Sequence, residues 1–130
     1  MKIITSWDDG AKQDLRLAEL LIKYNLPAIF YWPVNLEKSK NMSRVKGWLT
    51  LDQCKEIASK FVVGAHTVTH QWLSKQTTQQ ARNEIFDSRK FWQDQTGQTV
   101  ESFCYPRNKH NTIVRILVKN AGYKIGRAHV

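Results

Sequence analysis

Apolar positions in this chain fall into two spacings that take turns. Lys2 to Trp7 is a short, mostly β-branched apolar run that stops at Asp8-Asp9-Gly10, a turn signal, and reads as a strand. From Asp14 to Tyr24, Leu15, Leu17, Ala18, Leu21 and Ile22 recur at helical spacing, and Asn25 and Pro27 close the helix. Ala28 to Val34 is a second strand, apolar on both faces. Residues 35 to 47 are polar and basic and predict a loop or a short irregular helix. Thr50 is suited to cap a helix from about Leu51 to Ser59, with Asp52 favourably placed in the first turn. Phe61 to Ala65 is a third strand and leads into the segment His66 to His70. Thr77 or Thr78 starts a longer helix that runs to about Gln95 and ends near Gly97, with Ala81, Ile85, Phe91 and Trp92 on its apolar face. Val100 to Tyr105 is a fourth strand, halted by Pro106. Asn111 or Thr112 begins a helix carrying Val114, Leu117, Val118 and Ala121, Gly122 ends it, and Tyr123 to Ile125 opens a fifth strand.

Strands alternating with helices predict an α/β fold with about five parallel strands joined by right-handed crossovers. Strands apolar on both faces agree, because helices cover a parallel sheet on both sides. With 130 residues and no internal repeat, linker or low-complexity segment, residues 1–130 are expected to form a single domain.

Composition narrows the function less than the pattern does. Hydrophobic content of 42% and charged content of 24% are ordinary for a globular protein. The five Trp, four Tyr and five Phe mainly fill a core, and a minority could line a sugar groove. A net charge of +9, scattered without a block of like charges, attracts polyanions such as nucleic acid or an anionic cell-wall glycan, or is simply a solvated basic surface. Lys and Arg are not interleaved with aromatics in a nucleic-acid motif, so no specific nucleic-acid partner is expected. Cys54 and Cys104 make no disulfide framework and no zinc spacing, and read as free thiols, one of them buried. No signal peptide and no bilayer-length apolar run is seen, which predicts a cytoplasmic protein without a membrane partner and leaves open a secreted or cell-wall role.

In a parallel α/β fold, ligands bind at the carboxyl ends of the strands. The polar candidates fall there. Asp8 and Asp9 follow the first strand, His66 and His70 the third, and Tyr105 to Asn111 the fourth. His66 and His70 are spaced i, i+4. In a helical turn their Cβ atoms would lie about 5–6 Å apart on one face, suited to one divalent metal; an isolated HxxxH is otherwise two surface histidines. Asp8-Asp9 alone is a turn-forming, helix-capping pair. Neighbouring carboxylates can also divide labour, one ligating a metal and the other serving as general base. Two His and one carboxylate leave positions open on a metal, as catalytic sites require. The turn after the fourth strand could aim backbone N–H groups at an oxyanion, with Asn108 tolerating positive φ, or it is a plain loop capped by Asn111.

Taken in order, TSWDDG, HTVTH and FCYPRNKHN resemble the motifs of the polysaccharide deacetylase (NodB homology) family of carbohydrate esterases, and the closing AGYKIGRAHV extends the resemblance over nearly the whole chain. The resemblance implies an incomplete (β/α) barrel and a metal-dependent hydrolase removing N-acetyl groups from an amino-sugar polysaccharide such as chitin oligomers or peptidoglycan. It implies Asp8 as catalytic base, Asp9, His66 and His70 as metal ligands, most often for zinc, and the backbone N–H of Arg107 as oxyanion donor. In the third motif Pro106 and Asn111 match, whereas Cys104 stands where an Arg often orients the base and Asn108 stands at a Gly. Family domains continue through further strands carrying a Trp motif and a late His that protonates the leaving amine. Neither His110 nor His129 matches that His. The chain thus resembles the N-terminal portion of the family barrel. Its open sheet edge would invite a second copy or a partner chain. The alternative is a catalytically weak or inactive module that binds glycan or a protein partner.

Overall fold

The computed structural model describes residues 1–36 and 47–128. Most of the polar 35–47 segment, and His129, lie outside the described residues. Five strands, β1 (Thr5–Asp8), β2 (Ala28–Trp32), β3 (Val62–Ala65), β4 (Ser102–Cys104) and β5 (Ile125–Arg127), form one parallel sheet in the order β1-β2-β3-β4-β5. Helices α1 (Asp14–Lys23), α2 (Leu51–Ala58), α3 (Thr78–Thr96) and α4 (Thr112–Asn120) form the crossovers. The result is the expected incomplete barrel of the α/β class.

Local chemistry accounts for most boundaries. Thr50 and Thr77 each form a capping box, with Gln53 and Gln80 returning the bond to the cap N–H. Asn111 caps α4 by accepting from Val114 N–H at 2.8 Å. Gly97 ends α3 in the left-handed conformation.

The first and last strands depart from the pattern. The apolar run begins at Lys2, yet pairing begins only at Thr5, and Ile3 and Ile4 are exposed. Tyr123 is not in a strand. Its ring packs in the core and its hydroxyl donates to the Ile85 carbonyl of α3, so β5 starts at Ile125. Residues of β2 and β4 are almost wholly buried, while β1 and β5 are largely open, as edge strands are. Both cysteines, not one, are buried and free.

The core lies between the sheet and its helices, centred on Phe30, Trp32, Trp92, Phe103 and Ile85. The Trp92 indole N–H donates to the Trp32 carbonyl at 2.9 Å, locking α3 to the end of β2. On the inner face, Tyr31 crosses β3 to share a 2.6 Å hydrogen bond with Ser102. Gly64 lies between them in register with Tyr31, and a Cβ there would collide with the Tyr31 ring. That layer is the floor beneath the candidate site.

Candidate metal centre and base

Strand pairing continues past the strand ends and carries the site residues into place. Asp9 N–H donates to the Tyr31 carbonyl at 3.0 Å, and His66 N–H to the Trp32 carbonyl at 3.2 Å. Asp9 Oδ1 then lies 3.2 Å from His66 Nε2 and 3.3 Å from His70 Nε2. Both imidazoles are buried, with ring centroids 4.8 Å apart.

HTVTH is not a helical turn. Thr67 and His70 both adopt left-handed backbone, with φ of 69° and 57°. This doubling back, not helical periodicity, brings the two histidines together. The loop is tied from two sides. His70 N–H donates to Thr67 Oγ1 at 2.9 Å. From α3, Glu84 accepts from Val68 N–H at 2.7 Å, Thr69 N–H at 2.9 Å and Thr69 Oγ1 at 2.5 Å. These bonds stand in for the missing helical ladder.

Hydrogen-bond geometry assigns the His66 tautomer. Nδ1 sits 2.7 Å from the Cys104 carbonyl, which can only accept, so Nδ1 carries the proton. With Nδ1 turned to the Cys104 carbonyl, Nε2 is the ring nitrogen that faces Asp9. Burial opposes ionisation of Asp9, but hydrogen bonds and charge from His66 and His70 outweigh it and hold the carboxyl well below the usual range. Two imidazole nitrogens and a carboxylate oxygen thus converge, all within 4.8 Å of one another. Tetrahedral ligands 2.0–2.1 Å from a zinc ion stand about 3.3 Å apart. The donor set and its spacing fit such a metal. The His66-to-carbonyl bond is the outer support that metal-ligating histidines ordinarily have, whereas His70 Nδ1 is buried without a partner among the described residues.

Asp8 points the other way. Its Oδ1 accepts from the Arg127 guanidinium and its Oδ2 from the Cys104 thiol at 3.5 Å. Burial, with Asp8 adding to it, pushes the Cys104 thiol far up, so it stays a neutral donor. The Arg127 guanidinium also lies over the Tyr31 ring, 4.8 Å from its centroid. The residue at 104 does not supply an arginine to Asp8, but the neighbouring strand does, and Cys104 and Arg127 are register partners. Sequence reading missed Arg127, although a cation at the carboxyl end of the fifth strand satisfies the same rim rule that selected the other residues. It also missed Glu84, which lies inside a helix and carries no such signal.

The turn after β4 puts Arg107 and Asn108 in left-handed backbone, with φ of 56° and 59°. Non-glycine residues in this region are uncommon and cluster at functional sites. Together with Asp9 (φ 80°), Thr67 and His70, they make five such residues along one rim. His110 is exposed and packs at a tilt against Tyr105, with ring centroids 5.0 Å apart.

Comparison with known proteins bears on the fold and the family. Residues 2–126 match the polysaccharide deacetylase family. A Bacillus subtilis (strain 168) protein with the name "Putative polysaccharide deacetylase YxkH" is 27% identical over 126 residues, covering 95% of this chain and 43% of that protein. The Streptococcus pyogenes deacetylase PplD, solved with acetate, superposes with a TM-score of 0.82 at 24% identity, over 93% of this chain and 53% of that one. A Bacillus anthracis CE4-family pseudoenzyme, BA3943, superposes with a TM-score of 0.78 at 17% identity, over 96% of this chain and 42% of that one. The chain spans about half the length of the relatives it matches. By the match over residues 2–126, and with the fold its motifs imply, the chain belongs to the polysaccharide deacetylase family.

Proposed function

We propose that this chain is a metal-dependent hydrolase acting on the N-acetyl groups of an amino-sugar polysaccharide, such as chitin oligomers or peptidoglycan. One observation carries the reading. Asp9, His66 and His70 converge as a ligand set, and a second carboxylate, Asp8, stands beside them held by other partners. A divalent metal, most often zinc in this family, supplies Lewis acidity toward the acetyl carbonyl and makes a water acidic. Asp8 takes the proton from the attacking water. Arg127 and Cys104 each hold one of its oxygens and so fix the direction of the carboxylate. The Arg107 backbone N–H is assigned to the developing oxyanion, a role that depends on its backbone and not on its guanidinium.

The test is acetate release from N-acetylglucosamine oligomers and peptidoglycan fragments by the metal-loaded protein. Asp8→Asn should lower kcat roughly 10²–10⁴-fold while the metal content stays the same. Wild-type turnover by Asp8→Asn removes Asp8 from the base role. A second reading is a catalytically weak module that holds glycan or a protein partner. Its support is the likeness to a pseudoenzyme. Metal-dependent glycan binding without acetate release would select it.

A further inference from the structure

Trp72 lies two residues beyond His70 and is half-buried. Three cations surround its ring. Lys75 Nζ is 3.7 Å from the centroid, the Arg107 guanidinium carbon 5.8 Å and Lys109 Nζ 6.0 Å. They arrive from two different loops of the rim. Lys75 closes the short 3-10 turn after the histidine loop, and Arg107 and Lys109 belong to the turn after β4. That second turn starts just past Cys104, whose carbonyl receives His66 Nδ1. The cluster therefore borders the candidate metal centre.

Three like charges around one ring repel each other. The ring's quadrupole offsets part of that repulsion. Elsewhere on the surface, two lysines meet carboxylates: Lys90 pairs with Asp94, and Lys124 with Glu101. Among the described residues neither Lys75 nor Lys109 has such a partner. The Trp72 indole N–H is also buried without an acceptor among them. With Lys75 at 3.7 Å, one face of the ring is already covered, so the indole serves to gather cations more than to stack a sugar.

We propose that Trp72, Lys75, Arg107 and Lys109 form a subsite for an anionic oxygen group, a carboxylate or a phosphate, carried by the glycan next to the sugar that loses its acetyl group. The inference rests on the deacetylase reading for the identity of the glycan. It adds that this enzyme prefers charged chains over neutral ones.

Equilibrium binding of the full chain tests it without requiring turnover. Three oligomers of equal length serve as probes: neutral N-acetylglucosamine, N-acetylglucosamine alternating with a lactyl-ether sugar that bears a carboxylate, and N-acetylglucosamine carrying 6-phosphates. At low salt one charged oligomer should bind about tenfold more tightly than the neutral one, as expected for two or three exposed ion pairs, and high salt should erode the difference. The charged oligomer that wins identifies the group. The double variant Lys75→Gln/Lys109→Gln should bring charged and neutral affinities to within about threefold, with unchanged affinity for the neutral oligomer and an unchanged melting curve. Equal wild-type affinity for charged and neutral oligomers, no binding of any of them, or a charge preference that survives the double variant overturns the proposal. A charge preference without acetate release would sustain it and count against the deacetylase reading alone.

Discussion

Replacing Arg127 tests the least expected contact in the site. The Arg127 and Asp8 side chains are 22% and 11% exposed, so their ion pair is more shielded from water than the surface pairs of this protein. Arg127→Gln removes the cation and keeps the Cys104 thiol, a weak donor, 3.5 Å from Asp8 Oδ2. A hydrogen bond to a charged group contributes about 1.5–3 kcal/mol net, and a buried carboxylate stripped of its partner costs more. Partial exposure keeps the expected loss near 2 kcal/mol, which lowers Tm by about 7 °C in a domain of this size. Asp8→Asn followed by the double variant completes a cycle, because the double variant has no charge left to strand. Urea unfolding with a chelator present keeps metal linkage out of the measurement. The coupling energy should be about 1.5 kcal/mol. Lys90–Asp94 is the internal comparison, with side chains 75% and 57% exposed; its coupling should stay under about 0.5 kcal/mol. Equal coupling for the two pairs would refute the claim that Arg127 holds Asp8. In the loaded protein, Arg127→Gln should lower kcat and leave KM nearly unchanged, and Arg127→Lys should recover part of the loss.

Glu84→Gln keeps the shape of the side chain but weakens the three bonds that tie the histidine loop to α3; metal affinity by competitive titration should fall about 10–100-fold, and an unchanged affinity would show that the loop holds itself. Asp14 is buried at the start of α1, and burial, with Asp9 and Asp8 adding to it, pushes its carboxyl up to about 6 from an ordinary 3.8. The folded state therefore binds this proton more tightly than the unfolded state. Its contribution is fully favourable below pH 3.8, is lost as pH rises toward about 6, and stays a penalty above that. Asp14→Asn should accordingly stabilise the metal-free protein by about 2 kcal/mol at neutral pH and by little near pH 4; a gain of the same size at both pH values would assign the effect to something other than charge.

The architecture was legible because hydrophobic periodicity, caps and turn residues all agreed on it. The carboxyl-end rule then placed Asp8, Asp9, His66 and His70 on one rim. What escaped was conformation without a compositional signal. Nothing in His66-Thr67-Val68-Thr69-His70 announces left-handed backbone, which is ordinarily marked by Gly or Asn. The i, i+4 spacing therefore suggested a helical turn where the chain doubles back. Arg127 escaped because its partner is 119 residues away and the short β5 carries almost no periodicity. Ile3 and Ile4 were read into the first strand on side-chain type, yet they have no register partner on β2.

Strand order assigns the two halves of the site unequal footing. Asp9, His66 and His70 hang from β1 and β3, which are joined through β2. The link between Asp8 and Arg127 instead spans the mouth as a chord, from one outermost strand to the other. The length of a chord follows the curvature of the whole arc, so a small flattening of the sheet moves Asp8 and Arg127 apart long before it disturbs neighbouring strands. Damage at either edge should thus yield separation-of-function proteins, which load metal normally and fail to use it.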